Sequence, residues 1–198
     1  VKADVSTAEG REAFIAAIEA TGRELDILVN NVGTNLRKRS HEFSDDEYRN
    51  LMATNLDSAF HLSRTCFTRW LRKSRGCVIN VSSISGVTID NTGAVYAMSK
   101  AALDHLTRYL ACEWGPDGVR VNSVAPWFIR TDLTEPLLQG EFERAVISRT
   151  PLRRVGETFE VAQVVAMLAS PSAGYVTGQV LCIDGGLTVN GFQFPVPS

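Results

Sequence analysis

Short apolar runs alternate along the chain with longer amphipathic stretches. Residues 26–30 and 77–83 are mostly apolar until they reach asparagine or serine, which is typical of buried strands. Apolar residues between them recur at helical spacing, and Ser44 with Glu47 resembles a capping box. Strands that alternate with helices predict an α/β protein with a parallel sheet. The predicted strands are 26–30, 77–83, 119–124 and 179–183. The first predicted helix is capped by Ser6 or Thr7 and ends near Glu19. The other predicted helices are 44–73, with a break near Asn55, then 94–114 and 159–168.

Three residues lie where predicted strands end, namely Asn31, Ser83 and Pro126. The carboxyl ends of parallel strands share one edge of a sheet, and ligands of such sheets bind outside that edge. We therefore expect the functional site at this edge.

Composition narrows the class of protein. The 198 residues fit one domain, and 44% hydrophobic and 21% charged residues are ordinary for a soluble globular protein. A net charge of −2 gives no reason to expect nucleic acid or an anionic membrane as partner. The four cysteines form no C-x-x-C motif and the three histidines have no metal-ligand spacing. We expect a cytoplasmic protein with reduced, mostly buried thiols and no metal site.

Tyr96 and Lys100 are four residues apart, about one helical turn, so a helix places both on one face. A cation beside a phenol favours the phenolate, and we expect Lys100 to lower the pKa of Tyr96 from about 10. Such a tyrosine serves as proton donor and acceptor near neutral pH. Taken alone, the pair also fits an incidental feature of an exposed helix, so the interpretation depends on the surrounding motifs.

Those motifs follow one another in a fixed order. They are Asn-Asn-Val-Gly at 30–33, Asn55, Ser83, Tyr96 with Lys100, Val-Asn-Ser-Val-Ala-Pro-Trp-Phe-Ile-Arg-Thr at 121–131 and Asp-Gly-Gly at 184–186. In this order and spacing the chain resembles the short-chain dehydrogenase/reductase family over nearly its whole length. The Pro-Trp-Phe-Ile-Arg-Thr segment and the stretch Gly-Leu-Thr-Val-Asn-Gly-Phe at 186–192 are most similar to its plant tropinone-reductase-like branch. The resemblance implies a Rossmann-like sheet with helices on both faces.

The resemblance also implies four catalytic roles. Tyr96 is the general acid in carbonyl reduction and the base in alcohol oxidation, and Lys100 lowers its pKa and binds the nicotinamide ribose. Ser83 hydrogen-bonds the substrate oxygen. Asn55 lies at a helix irregularity and holds a water that relays protons to Lys100. For Ser83 and Asn55 individually, a strand-end hydroxyl and a helix cap are the structural alternatives.

The implied cofactor is NADP(H) in preference to NAD(H), and the implied substrate is a small, largely apolar ketone. Trp127 stands where the family more often has glycine and narrows the space near the nicotinamide, while Ser83 and Tyr96 contact the substrate. Asp4 has a helix-capping alternative, and Gly33 a tight-turn one. The implied cofactor contacts are Asp4, Val5, Asn31, Val32 and Gly33 on the adenosine side, and Tyr96, Lys100, Pro126, Ile129 and Thr131 around the nicotinamide.

One family motif does not occur in the sequence, the glycine-rich G-x-x-x-G-x-G turn that binds the pyrophosphate. The chain starts with Val1 in what resembles a strand end, so we expect an N-terminally truncated domain in which the first two strands are missing. Ile27–Val29 then forms an apolar sheet edge with unpaired backbone groups, and cofactor affinity is poor.

Two further expectations concern the lid and the assembly. Residues 132–156 are predicted to form a substrate lid within a single partial domain, 1–198. The stretches 56–71 and 94–114 carry more apolar surface than one sheet face covers, which favours an interface between subunits, with an ordinary core as the alternative. The family resemblance implies a homodimer or homotetramer through these helices.

Three functional hypotheses remain. The first is an NADP(H)-dependent reductase of a small ketone. The second is a truncated, non-catalytic subunit that pairs with full-length relatives. The third, an epimerase or dehydratase that shares Tyr-x-x-x-Lys, is disfavoured because the C-terminal part is too short for a substrate domain.

Overall fold

The computed structural model of the protein describes residues 1–191 and contains a parallel sheet with helices on both faces. The strands are β1 (Ile27–Asn30), β2 (Cys77–Val81), β3 (Arg120–Pro126), β4 (Ile129–Arg130), β5 (Gly156–Glu157) and β6 (Val180–Ile183). Four of them form the main sheet in the order β1-β2-β3-β6, and β4 pairs with β5 in a small second sheet. The predicted α/β architecture is confirmed.

The helices agree closely with the predicted segments. Thr7 caps the first helix by accepting from the N–H of Gly10, and Ser44 and Glu47 form the capping box that starts the second. The long helical stretch after Ser44 is interrupted twice by π-helical turns, at Ala53–Asp57 and Phe67–Leu71. The helices are α1 (Ala8–Glu19), α2 (Asp45–Met52), α3 (Ser58–Cys66), α4 (Arg72–Ser74), α5 (Ala94–Trp114), α6 (Gly140–Arg149) and α7 (Thr158–Ala169).

Alternate residues of the central strands pack against different helices, as the period of two in a strand requires. Val78 and Val121 lie in a core cluster with residues of α1, α3 and α5. Cys77 and Ile79 lie in a second cluster with residues of α7. The two clusters are the cores on the two faces of the sheet.

A row of buried amides crosses the sheet near its functional edge. The Asn30 amide donates to Asn80 Oδ1 at 2.8 Å and to the Ser63 hydroxyl at 2.9 Å. Asn80 in turn donates to the Thr107 hydroxyl of α5 at 2.8 Å. These bonds tie β1, β2, α3 and α5 together just below the strand ends.

β1 is an edge strand of the described sheet, with β2 as its neighbour. Leu28 is buried in the core, whereas Ile27 and Val29 are 44% and 41% exposed. Both exposed residues lie in register with strand residues on the α7 face, and α7 packs over β2 and β3. The expected apolar edge is therefore present.

Some predictions differ from the structure. Residues 1–4 form no strand; Asp4 instead accepts a backbone hydrogen bond from Thr7 in the turn that precedes α1. Cys66 and Cys77 are buried, but Cys112 is exposed, because the outer face of α5 at that point has no packing partner within residues 1–191. Phe192, which ends the tropinone-reductase-like stretch, and the rest of 192–198 lie outside the described residues.

Candidate active site

Three elements bring the four predicted catalytic residues to the carboxyl edge of the sheet. Ser83 follows β2, where its backbone is extended and its hydroxyl accepts from the N–H of Ser85. Tyr96 and Lys100 lie in the first two turns of α5, and Asn55 lies in the first π-turn. Ser83 and Tyr96 line one cavity of about 140 Å³.

Lys100 is only 3% exposed, and its ammonium donates to the carbonyl oxygen of Val81 at 2.9 Å. Burial lowers the pKa of Lys100 to about 8, and the charge of Asp104 opposes that change. The ammonium lies 5.8 Å from the centroid of the Tyr96 ring. The lysine therefore packs beside the phenol but is anchored to the end of β2.

The expected direction of the Tyr96 pKa is wrong for the protein alone. Burial raises the pKa of Tyr96, a hydrogen bond with Ser83 opposes this, Asp90 raises it further and Arg37 lowers it. Desolvation of the phenolate outweighs these opposing interactions because the ring is enclosed. The Lys100 ammonium is bonded to Val81 and is itself desolvated. The spacing of one helical turn between Tyr96 and Lys100 therefore did not predict the direction of the Tyr96 pKa.

Asn55 is 1% exposed, and its side chain is used for protein contacts. Its amide donates to the carbonyl oxygen of Thr34 at 2.9 Å and to the Ser99 hydroxyl at 3.1 Å. Its Oδ1 accepts from the N–H of Thr34 at 2.8 Å. The predicted helix irregularity is confirmed, and the side chain holds the loop that follows β1 against α5.

The loop after β1 leaves an open approach to Lys100. A Cβ at Gly33 would lie 3.3 Å from the Lys100 ammonium and 3.6 Å from Asn55 Oδ1, so only glycine leaves this space free. Asn31, Val32 and Gly33 are all exposed. Gly33, which the resemblance puts on the adenosine side of the cofactor, thus lies beside Lys100, the residue expected to bind the nicotinamide ribose.

The other predicted cofactor residues divide into two groups. Asp4 accepts from the N–H and hydroxyl of Ser6, at 3.0 and 2.7 Å, and Val5 is buried in the core against α1. Asp4 is therefore a turn residue, and the helix-capping alternative is wrong because Thr7 caps α1. Pro126 ends β3, while Ile129 and Thr131 lie just beyond it. The Ile129 carbonyl accepts a hydrogen bond from the Thr134 hydroxyl, which joins β4 to the start of the predicted lid.

Trp127 forms part of the wall of the cavity that contains Ser83 and Tyr96. Its indole N–H donates to the Thr150 hydroxyl at 3.1 Å, and its ring meets Phe128 edge to face with centroids 4.6 Å apart. Leu133 and Leu137, from the predicted lid segment, complete the apolar side. The opposite side is polar and is lined by Asn35, Arg37, Ser85, Asp90 and Thr92.

The sequence analysis missed Ser85, Asp90 and Thr92. They belong to the connection between Ser83 and α5, which turns back on itself with Asn91 in the left-handed region at φ 58°. Ser85 donates to Asp90 Oδ2 at 2.7 Å, and Thr92 donates to Asp90 Oδ1 at 2.6 Å. In the sequence, the Ser-x-Ser pattern at 83–85 was the one feature that could have indicated a polar network in this connection.

Comparison with known proteins agrees with this geometry. The sequence model of the family described as enoyl-(acyl carrier protein) reductase matches residues 1–188. A tropinone reductase homolog of Arabidopsis thaliana is 49% identical over 193 residues, which cover 96% of this chain and 73% of the relative. The chain belongs to the short-chain dehydrogenase/reductase family.

Solved structures support the short-chain dehydrogenase/reductase fold. A 4-hydroxyisoleucine dehydrogenase complexed with NADH matches with a TM-score of 0.91 and 33% identity, over 96% of this chain and 79% of that one. A gluconate 5-dehydrogenase from Burkholderia cenocepacia, in complex with NADP and tartrate, matches with a TM-score of 0.88 and 33% identity, over 95% and 74%. Among residues 1–191, no helix is long and apolar enough to cross a membrane.

Proposed function

We propose that this short-chain dehydrogenase/reductase is an NADP(H)-dependent oxidoreductase that reduces a small, largely apolar ketone to an alcohol. The observation that carries the proposal is the shared cavity of Ser83 and Tyr96, with the buried ammonium of Lys100 beside the phenol. A proton donor and a second hydroxyl that face one small space are what carbonyl reduction requires.

When bound, the nicotinamide supplies the hydride. Lys100 would hold its ribose, Asn31, Val32 and Gly33 would lie on the adenosine side of the cofactor, and Pro126, Ile129 and Thr131 would lie beside the nicotinamide ring. Tyr96 donates its phenolic proton to the substrate oxygen, and the Ser83 hydroxyl stabilises the negative charge that develops there. Because Tyr96 is protonated in its buried setting, the free protein presents the form that reduction needs.

The preference for NADP(H) rests on likeness to relatives. The gluconate 5-dehydrogenase described above is in complex with NADP, whereas the 4-hydroxyisoleucine dehydrogenase is complexed with NADH. Parallel fluorescence titrations with NADPH and NADH test this part of the proposal. Equal affinity for the two, or tighter binding of NADH, contradicts it.

The walls of the cavity support the substrate class. Trp127, Phe128, Leu133 and Leu137 form an apolar side that suits a hydrocarbon body, while the reacting oxygen meets Ser83 and Tyr96. A panel of small cyclic ketones, with NADPH oxidation as readout, tests the class. Polar sugar acids in the same panel are the comparison, and a preference for them overturns the apolar assignment.

Tyr96→Phe tests the mechanism. We expect NADPH to bind as before and ketone reduction to fall by about two to four orders of magnitude, because the general acid is lost. Tyr109→Phe is the matched control, since this tyrosine lies on the same helix and is 63% exposed. Unchanged reduction by Tyr96→Phe, or an equal loss in the control, would show that the mechanism is wrong.

The exposed edge of β1 favours a second candidate, a non-catalytic subunit that pairs with longer relatives. It predicts no measurable NADPH binding by this chain but stable association with such a relative when the two are co-expressed. Tight NADPH binding by this chain alone contradicts it.

Self-association is part of the reductase proposal. Phe60 of α3 and Met98 and Tyr109 of α5 are exposed, whereas Leu71 and Leu103 belong to the buried core. The exposed residues favour a homodimer or homotetramer through these helices. Sedimentation at micromolar concentration tests this, and a monomeric mass contradicts it.

The four unpaired cysteines support a cytoplasmic location, which imaging of the tagged protein tests.

A further inference from the structure

A chain of hydroxyl groups leads from the cavity wall beside Tyr96 to the carboxylate of Asp90. The Ser83 hydroxyl lines the same cavity as Tyr96, whose pKa it lowers, and its Oγ lies 3.1 Å from Ser85 Oγ. Ser85 Oγ lies 2.7 Å from Asp90 Oδ2. These residues all line the same cavity, and the catalytic roles proposed above involve only Tyr96 and Ser83 and not Ser85 or Asp90.

The carboxylate fixes the direction of this chain. A carboxylate has no proton to donate, so Ser85 must donate to Asp90. The hydroxyl of Ser85 is then an acceptor towards Ser83, which therefore donates to it. The Ser83 oxygen also accepts from the N–H of Ser85 at 3.2 Å. Both hydroxyl bonds thus point from Ser83 towards Asp90, and in this arrangement the Ser83 proton is not directed at Tyr96.

We propose that Asp90 is a positioning residue, which acts through Ser85 to turn the Ser83 hydroxyl away from Tyr96 and thereby keeps the phenol in its proton-donating form. The Ser83 hydroxyl stabilises a phenolate only if it gives up its bond to Ser85, and Asp90 holds Ser85 in the accepting orientation. This inference rests on the proposed role of Tyr96 as the general acid.

Asp90 raises the pKa of Tyr96, whereas the other charged groups near the phenol do not. Arg37 lines the cavity and lowers the pKa of Tyr96, and the Lys100 ammonium lies 5.8 Å from the ring centroid. The lid side of the cavity is lined by Leu133, Thr134 and Leu137, none of which is charged. Asp90 is the acidic group that faces the phenol among the residues lining this cavity.

The test is a pH titration of Tyr96 in the cofactor-free protein, followed by NMR of ¹³C-labelled tyrosine. The sequence contains four tyrosines, and the loss of one signal in Tyr96→Phe identifies the right resonance. Ser85→Ala removes the acceptor of the Ser83 hydroxyl, which then turns towards the phenolate. We expect the pKa of Tyr96 to fall, with an acid dissociation constant about three- to tenfold larger, although no charge has changed.

Asp90→Asn is the second variant. Oδ1 of Asp90 accepts from both the N–H and the hydroxyl of Thr92, so the amide oxygen takes that position and the NH₂ group faces Ser85. Ser85 then accepts from the amide and donates to Ser83, which reverses the chain. We expect this variant also to lower the pKa of Tyr96.

Thr134→Val is the matched control, because Thr134 lines the same cavity but its hydroxyl bonds to Thr131 and the Ile129 carbonyl and not to Ser83, Ser85 or Asp90. We expect the pKa of Tyr96 in this variant to equal that of the wild type. An unchanged pKa in Ser85→Ala overturns the proposal, and a decrease in Asp90→Asn alone does so too, since it would reflect only the lost negative charge. The tyrosine signals of Tyr109 and Tyr175 report whether each variant is folded.

The titration needs neither cofactor nor substrate. Absence of ketone reduction would therefore refute the proposed function while leaving the hydrogen-bond chain testable. Conversely, an unchanged pKa in Ser85→Ala would refute the chain while leaving the reductase assignment intact.

Discussion

The ammonium nitrogen of Lys100 lies 2.9 Å from the carbonyl oxygen of Val81 and donates a hydrogen bond to it. Val81 ends β2, two residues before Ser83, so this bond joins the strand that leads to the serine with the helix that carries Tyr96. A buried cation thus contributes to the geometry of the site as well as to its charge.

The stability of the protein should depend on the ionisation of Lys100. Burial lowers its pKa from 10.5 to about 8, so between these values the unfolded chain binds more protons and stability rises with pH. We expect the free energy of unfolding of the wild type, relative to Lys100→Met, to increase by roughly 2–3 kcal/mol between pH 7.5 and 10.5. Urea unfolding at both pH values measures this. Lys2→Met, at an exposed position, should show no such change.

Loss of the Asn55 amide should destabilise the fold. It makes three hydrogen bonds, two with Thr34 and one with Ser99, and its removal leaves buried groups without partners. We expect Asn55→Ala to reduce the free energy of unfolding by about 1–3 kcal/mol. Thr54→Ala, in the same π-turn but bonded only to the Asn50 carbonyl at an exposed site, should have a much smaller effect. Equal effects would contradict the bracing role of Asn55.

A methyl group at Gly33 should block the approach to Lys100. Its Cβ would lie 3.3 Å from the ammonium, where the ribose is proposed to bind. We expect Gly33→Ala to weaken NADPH binding by about tenfold or more, which corresponds to about 1.4 kcal/mol, with little change in stability. Gly115→Ala is the control, because no atom lies within 4 Å of its Cβ. Unchanged affinity in Gly33→Ala would place the cofactor elsewhere.

Arg130 should restrain the predicted lid. Its guanidinium donates to Glu135 at 2.9 Å and to Glu143 at 3.0 Å, and it lies near Glu157 of β5. We expect Arg130→Ala to accelerate chymotryptic cleavage within 132–156 severalfold, because one group joins two points of that region to each other and to β5. Arg49→Ala, which removes exposed ion pairs within α2, should leave the cleavage rate unchanged. Cleavage elsewhere in the chain would argue against the restraint.

Periodicity and capping predicted most of the fold because those signals are local. α5 begins and ends at the predicted residues, Ala94 and Trp114, and the interruption at Asn55 lies in a π-turn. The order of motifs placed Ser83, Tyr96 and Lys100 in one site because parallel strands end at a common edge.

Properties that depend on the surroundings could not be predicted from spacing. Four residues on a helix set Tyr96 beside Lys100, but burial of both groups reversed the expected direction of the tyrosine pKa. Asp90 reaches Ser85 because the loop turns back at Asn91, and no sequence period marks such a reversal. Asp4 and Val5 matched a family motif, yet their local contacts are those of a turn and a core residue.

The π-turns at Ala53–Asp57 and Phe67–Leu71 each accommodate one residue more than an α-helical turn would. In genetic terms each is an insertion that the helix has absorbed. Deleting one residue from 53–57 would let the helix close regularly, while the segment after it keeps its rotation about the helix axis. The buried face of α3, which includes Leu62 and Cys66, would still pack towards the sheet. Such a deletion would displace Asn55 and leave the core of α3 in place, so a change of length at this turn affects the candidate site before it affects the fold.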